Sequence, residues 1–200
     1  IADGETPVVL VEPSDNIGGG APGDATTMLA EFVRQDIDGA VAIINDPQAV
    51  QALDTIQVGE SLTLPIGGKT SRLTEGPLEL SVTLESTSDG RFTLEDPHSH
   101  LASGSGLHIE MGPSAVVRCG GVRILLTSLK TPPFDLAQLR SQGIAPEECS
   151  VVNVKAGRRP PTGLGPRHQP QLHSRHAGTV LQRYLQAALP TGQTAGVSTG

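Results

Sequence analysis

The stretch Asp15-Asn16-Ile17-Gly18-Gly19-Gly20-Ala21-Pro22-Gly23-Asp24 limits what this chain can fold into more than any other. It follows an aliphatic run, Pro7 to Val11. It precedes residues 25–35, where Met28, Leu29, Phe32 and Val33 recur at helical spacing. Glycine readily takes the positive φ values of a sharp reversal, so the segment predicts a tight strand-to-helix turn. Asp24 is placed to cap the helix by accepting amide hydrogens of its first turn. Gly39 then ends the turn after the helix, Ala40 to Ile44 forms a second strand, and Pro47 opens a short helix to about Thr55. The expected opening is a β-loop-α-β unit, in which connection handedness favours a parallel strand pair with the helix across one face.

From Glu60 the pattern changes to short runs broken by Gly, Pro, Ser or Asp. Residues 61–66, 78–85, 91–94, 107–111, 115–119 and 122–127 read as strands, with hairpins expected at Pro113-Ser114 and Gly120-Gly121. Asp135 to Gln142 reads as a short helix, and Ser150 to Val154 as a last strand followed by Lys155. The fold class expected is α/β, a mixed sheet with an antiparallel-rich middle. With three Phe, one Tyr and no Trp, the core must rest on Val, Leu, Ile and Ala, which suits strands covered by helices.

Charge divides the chain. Residues 1–156 carry 9 Lys and Arg against 21 Asp and Glu, a balance of −12; residues 157–200 carry five Arg and no acid, a balance of +5. The acidic bulk argues against nucleic acid as a partner. No apolar run is long enough to cross a bilayer, and no signal peptide is evident, so a cytoplasmic protein with no membrane partner is expected. Cys119 and Cys149 lack ligand spacing and are expected as free thiols in a reducing compartment. A chain that opens on Ile1 reads as a fragment or a processed start.

Several residues could carry chemistry. Gly18, Gly20 and Gly23 satisfy G-x-G-x-x-G between a strand and a helix, and Asp46 ends the next strand where a ribose-binding acid would fall. Against a nucleotide, Asp15 and Asp24 bracket the loop and Pro22 removes an amide donor. The remaining readings are a plain tight turn and a loop presented to a neighbouring active site. His98 and His100 could face one metal from a strand, with Glu95, Asp96 and His108 nearby, but residues 98–106 read as a mobile surface loop. The tail histidines His168, His173 and His176 are weaker candidates still. Lys155 could neutralise an anion or sit in a plain salt bridge. No Ser-His-Asp arrangement can be defended from the spacing.

The loop from Asp15 to Thr26 resembles the signature loop of the C-terminal domain of MlrC-type, microcystinase C-like metallopeptidases. Three further segments agree in order and spacing: Ile66-Gly67-Gly68-Lys69, residues 112–118 with Gly120-Gly121-Val122, and residues 125–128 followed by Phe134-Asp135. Residues 151–156, with Lys155, resemble the family's last core strand. The likeness covers about residues 5–156 and implies a zinc-dependent hydrolase of peptide bonds whose metal ligands lie in a separate N-terminal domain. Zinc would thus be held by that partner domain, peptide would be the substrate, and no catalytic or metal-binding residue is expected in this chain. What the resemblance leaves here is a cleft-lining loop of Asn16, Gly18, Gly19, Gly20, Gly23 and Asp24, with Lys155 beside it. A free-standing module that binds an anion or nucleotide at the glycine loop is the alternative.

After Ala156 the resemblance stops where the charge flips. The codons available for Leu172 through Leu185, read one base later, can spell Cys-Ile-Val-Asp-Thr-Pro-Gly-Pro-Cys-Ser-Ser-Asp, which is similar to the family's closing strand and turn. The expected organisation is therefore a domain over 1–156 and a frameshifted basic tail over 157–200. Such a tail has no selected hydrophobic pattern and is expected to be disordered.

Overall fold

The aliphatic runs become strands because each carries apolar side chains on both faces, and a strand of that kind is stable only between two covering layers. In the computed structural model, which describes residues 7–70, 76–98 and 100–157, seven strands form one mixed sheet. They are β1 (Val8–Val11), β2 (Ala40–Asn45), β3 (Ser61–Ile66), β4 (Leu78–Ser88), β7 (Ser114–Cys119), β8 (Val122–Thr127) and β9 (Val151–Val154). Their order across the sheet is β1-β9-β2-β8-β7-β4-β3. The first four neighbours are parallel, while β7, β4 and β3 join antiparallel. The antiparallel middle is thus as expected. The parallel opening pair is corrected: β1 and β2 share the sheet and direction, but β9 lies between them, pairing Val151 with both Val8 and Ala40.

Alternation along the strands sorts the core into two halves. Ala40, Ala42 and Ile44 of β2 and Val122, Ile124 and Leu126 of β8 face one side. There they meet Leu29 and Phe32 of α1 (Thr27–Arg34) and Val50 and Leu53 of α2 (Pro47–Leu53). Val41, Ile43 and Leu125 face the other side, against Leu136 and Leu139 around α4 (Ala137–Arg140). Phe92 and Ile109 of a two-stranded sheet, β5 (Arg91–Thr93) and β6 (His108–Glu110), complete that layer. Residues 100–105 form a short helix, α3 (His100–Ser105), where a mobile loop was expected: it covers β6 with Leu101 and Ala102.

Local signals explain most of the boundaries. Asp46 caps α2, its Oδ1 accepting the Ala49 amide at 3.0 Å, with Pro47 in the first turn. Gly120-Gly121 makes the β7–β8 hairpin, where a Cβ on Gly121 would stand 2.6 Å from the Asp38 backbone. The hairpin expected at Pro113-Ser114 does not form; that segment carries the chain from the small sheet into β7. Residues 157–200, apart from Gly157, lie outside the described residues, as do the tail histidines.

Ile124 is fully buried at the centre of the α1–α2 side. Truncation to alanine there is expected to cost roughly 2–5 kcal/mol of unfolding free energy. Equilibrium urea denaturation measures it, and a loss under about 1 kcal/mol would mean that this layer is not closed as described.

Candidate functional site

The parallel arrangement puts the ends of β1, β9, β2 and β8 along one edge of the sheet. The segments after β1, β2 and β9 supply Glu12 to Thr26, Asp46 and Lys155 to that edge. Ligand sites in α/β sheets collect at such an edge. The glycine loop is built there from two short 3-10 turns, Pro13–Asp15 and Ile17–Gly19. It closes on itself: Gly19 and Ala21 donate to the Asn16 carbonyl at 3.0 and 3.1 Å, and Gly20 to the Ile17 carbonyl at 2.9 Å. Gly20 has φ +93° with nothing within 4 Å of an added Cβ, whereas a Cβ on Gly23 (φ +80°) would stand 2.6 Å from the Ile17 side chain. Gly18 lies against Phe134, 2.8 Å from ring to virtual Cβ, and Asn16 folds over Gly19 and Gly157. Gly18, Gly19 and Gly20 are exposed, so the loop offers backbone rather than side chains to its surroundings.

Beneath the loop runs a layer of buried charge. Lys155, 1% exposed, donates to Glu12 Oε2 at 2.8 Å, to the Ala25 carbonyl at 2.8 Å and pairs with Asp15 Oδ2 at 2.9 Å. Those three contacts use all three ammonium hydrogens. Asp15 also accepts the Gly23 and Ala25 amides, each at 2.8 Å, so a single carboxylate fixes both ends of the loop's last turn. Lys155 is therefore a saturated internal strut, which settles the two readings the sequence left open in favour of the ion pair.

Asp24 differs from expectation. The α1 N-cap is Thr26, without a side-chain cap, and Asp24 is turned away from the helix. Its Oδ2 accepts the Lys69 and Thr70 amides and the Thr70 hydroxyl, all at 2.8 Å. The turn after β3 brings three donors to that one oxygen, and the carboxylate points to them. Asp46 works in parallel, accepting the Gly67 amide at 2.8 Å and holding Lys69 Nζ at 2.9 and 2.8 Å. Among the described residues, Asn16 Oδ1 and Asp24 Oδ1 are buried without a hydrogen-bond partner.

This arrangement limits the chemistry. Asp15, Asp46 and one oxygen of Asp24 are engaged by lysines or amides, and among the described residues no group of three or more His, Cys, Asp or Glu could hold a metal. His98 is exposed, its amide bonded to Asp96 Oδ1 at 2.9 Å, and His108 shares a 3.2 Å contact with Thr93. The Gly19, Gly20, Ala21, Gly23 and Ala25 amides serve Asp15 or the loop's own carbonyls, which leaves fewer donors for a phosphate. Cys119 and Cys149 are free; burial raises both thiol pKa values, helped at Cys119 by Asp36. Glu12 and Lys69 belong to the site beside the residues singled out from sequence, and Asp46, read there as a ribose-binding acid, serves instead as a helix cap and the partner of Lys69. Their signals were present, an acid ending β1, an acid ending β2 and a Gly-Gly-Lys turn, but nothing local joins them.

These elements make an open α/β sheet with a structured glycine loop on its carboxyl edge. The family model described as MlrC C-terminus matches residues 10–188, and the chain belongs to that family. Microcystinase C of Sphingomonas sp is 26% identical over 162 residues, covering 80% of this chain and 30% of that protein. A crystal structure named "Putative metallopeptidase" from Mesorhizobium sp. BNC1 shares the fold with a TM-score of 0.67 at 22% identity, over 78% of this chain and 31% of that one. The chain thus spans about a third of each protein's length. No helix among the described residues is long and apolar enough to cross a membrane.

Lys155→Met would leave Glu12 and Asp15 buried without their cation. It is expected to cost roughly 3–5 kcal/mol, against under about 1.5 kcal/mol for a well-tolerated apolar swap in the core. Chemical denaturation distinguishes the two, and an unchanged midpoint would remove Lys155 from the structural role assigned to it.

Proposed function

We propose that this domain is the carboxy-terminal accessory part of a zinc-dependent hydrolase acting on peptide bonds, and that its glycine loop lines the cleft against an amino-terminal metal-binding domain. The observation that carries this reading is the loop itself. Its exposed backbone is held rigidly by Asp15 over a saturated Lys155 at the edge where α/β folds place ligands. When bound by the other domain, zinc supplies a Lewis acid and an activated water. The contribution of this chain is to bound the cleft, with Gly18 to Gly20 allowing close approach of substrate backbone and Asn16 and Asp24 holding the loop's shape. Peptides related to microcystin are the substrates to test first, since a relative carries that name.

The test uses the full-length protein. Hydrolysis of linear peptides is expected with zinc present, to fall to background after chelation, and to return on adding zinc back; the 200-residue chain alone is expected to be inactive. A full-length protein inert on peptides in zinc, or hydrolysis by this chain alone, would overturn the assignment. An anion- or nucleotide-binding module is the second reading, and it requires a change in thermal stability with phosphate or nucleotide that the first does not.

Residues from about Gly157 onward are proposed to be a frameshift product. The family match to residue 188 in the present frame pulls against that boundary. Sequencing the encoding DNA across codons 140–200 is expected to reveal the shifted family ending. An intact frame would instead give the domain a basic tail of its own.

A further inference from the structure

Three large apolar side chains stand exposed among the described residues, Val58, Leu107 and Leu129, at 63%, 40% and 51%. Val58 lies apart, in the turn before β3. Leu107 and Leu129 immediately precede His108 and Lys130, which line a groove of about 230 Å³ together with Leu101, Ile109, Glu110 and Pro132. Leu129 is not exposed because its segment is slack. The Ser128 and Leu129 amides donate to the Met111 carbonyl at 3.1 and 2.7 Å, and the Ser128 hydroxyl donates to the Pro113 carbonyl at 2.6 Å. Pro132 and Pro133 stiffen the rest of the segment, which ends at Phe134, whose ring lies against Gly18. An apolar side chain is therefore held outward on a ridge that leads, within five residues, to the glycine loop.

The two surfaces complement each other. Gly18 to Gly20 present backbone and almost no apolar area, which suits a cleft wall but cannot anchor a partner. Interfaces take their energy from buried apolar anchors surrounded by polar contacts. Leu129 and Leu107, with Lys130 forming no ion pair to a described residue, are of that kind, and the chain from Leu129 leads to Phe134 against Gly18.

We infer that the Leu129–Phe134 ridge and the adjoining groove are the docking surface for the amino-terminal part of the full-length protein. This inference rests on the two-domain reading above. The occupant is set by length and by continuity. The relatives carry roughly two-thirds of their chain outside this domain, and a partner that closes a cleft at the glycine loop must bear on the ridge that Phe134 joins to it. The surface fits an apolar pocket rimmed by acidic groups that meet Lys130.

Hydroxyl-radical footprinting of the full-length protein tests this, with Val58 as the internal reference. Docking is expected to lower the oxidation of Leu107 and Leu129 roughly tenfold relative to Val58, as for residues that become part of an interface core. Comparable oxidation of all three would overturn the inference. So would protection lost on dilution, which marks a second copy, or protection lost on deleting residues 158–200, which marks the tail. Leu129→Asp in the full-length protein is expected to restore oxidation at Leu107, and Val58→Asp is not. Peptide hydrolysis is assayed on the same samples: a protected ridge without hydrolysis would sink the peptidase reading and leave the docking surface standing.

Discussion

A single buried ammonium group organises the working edge of this domain. Taking Lys155 out of water costs several kcal/mol unless every hydrogen finds an acceptor, and all three do so, on Glu12, Asp15 and the Ala25 carbonyl. These acceptors lie at the end of β1, in the glycine loop and at the start of the first helix. The lysine itself comes directly after β9. One residue thus ties together pieces more than 100 positions apart, and Asp15 passes the constraint on by accepting two loop amides on the same carboxylate that meets the lysine. The glycines permit the loop's shape; the ion pair selects it.

The same device recurs around the edge. Asp46 caps α2, receives the Gly67 amide and pairs with Lys69, while Asp24 receives Lys69 and Thr70. Each carboxylate joins two segments that have no strand pairing with each other, so the edge is held by side chain-to-backbone bonds where the sheet ladder ends. Burial makes those bonds valuable and also fragile, because removing one partner strands the other in a medium that cannot solvate it. Charge committed in this way is offset within the fold, while Asp24 Oδ1 stays buried without a hydrogen-bond partner among the described residues.

Sequence pattern made the elements legible because each strand had a simple reason to be one. Short runs broken by Gly, Pro, Ser or Asp marked the strands among the described residues, although β4 runs three residues past its expected end at Glu85, and the hairpin at Gly120-Gly121 came from local chemistry. Pairing was less legible. That β9 would enter between β1 and β2 depends on contacts 110 to 140 residues apart, for which no local signal exists. Asp24 misled for a related reason: its position before a helix suggests a cap, but the distant Lys69 and Thr70 supply the donors its carboxylate accepts. Residues 100–105, where a Ser- and Gly-rich loop was expected, form a helix because Leu101 and Ala102 pack on the cluster that holds Ile109 of β6, a tertiary gain that outweighs weak propensity. The glycine loop was conspicuous from the start, whereas Glu12 and Lys69 become intelligible only once the strands bring them under it.

The groups left outside this network explain the division of labour. The buried lysine and acids beneath the loop are spent on holding shape, and the groups facing outward there are glycine backbone and two leucines beside a stiff Pro-Pro ridge. Backbone without side chains tolerates close approach but supplies no reacting group, and leucines supply adhesion but no catalysis. A domain with that surface contributes most when something else brings the chemistry to it. Under the two-domain proposal its rigidity matters more than its own reactivity, since a cleft wall that shifted by an ångström would misplace the reacting groups.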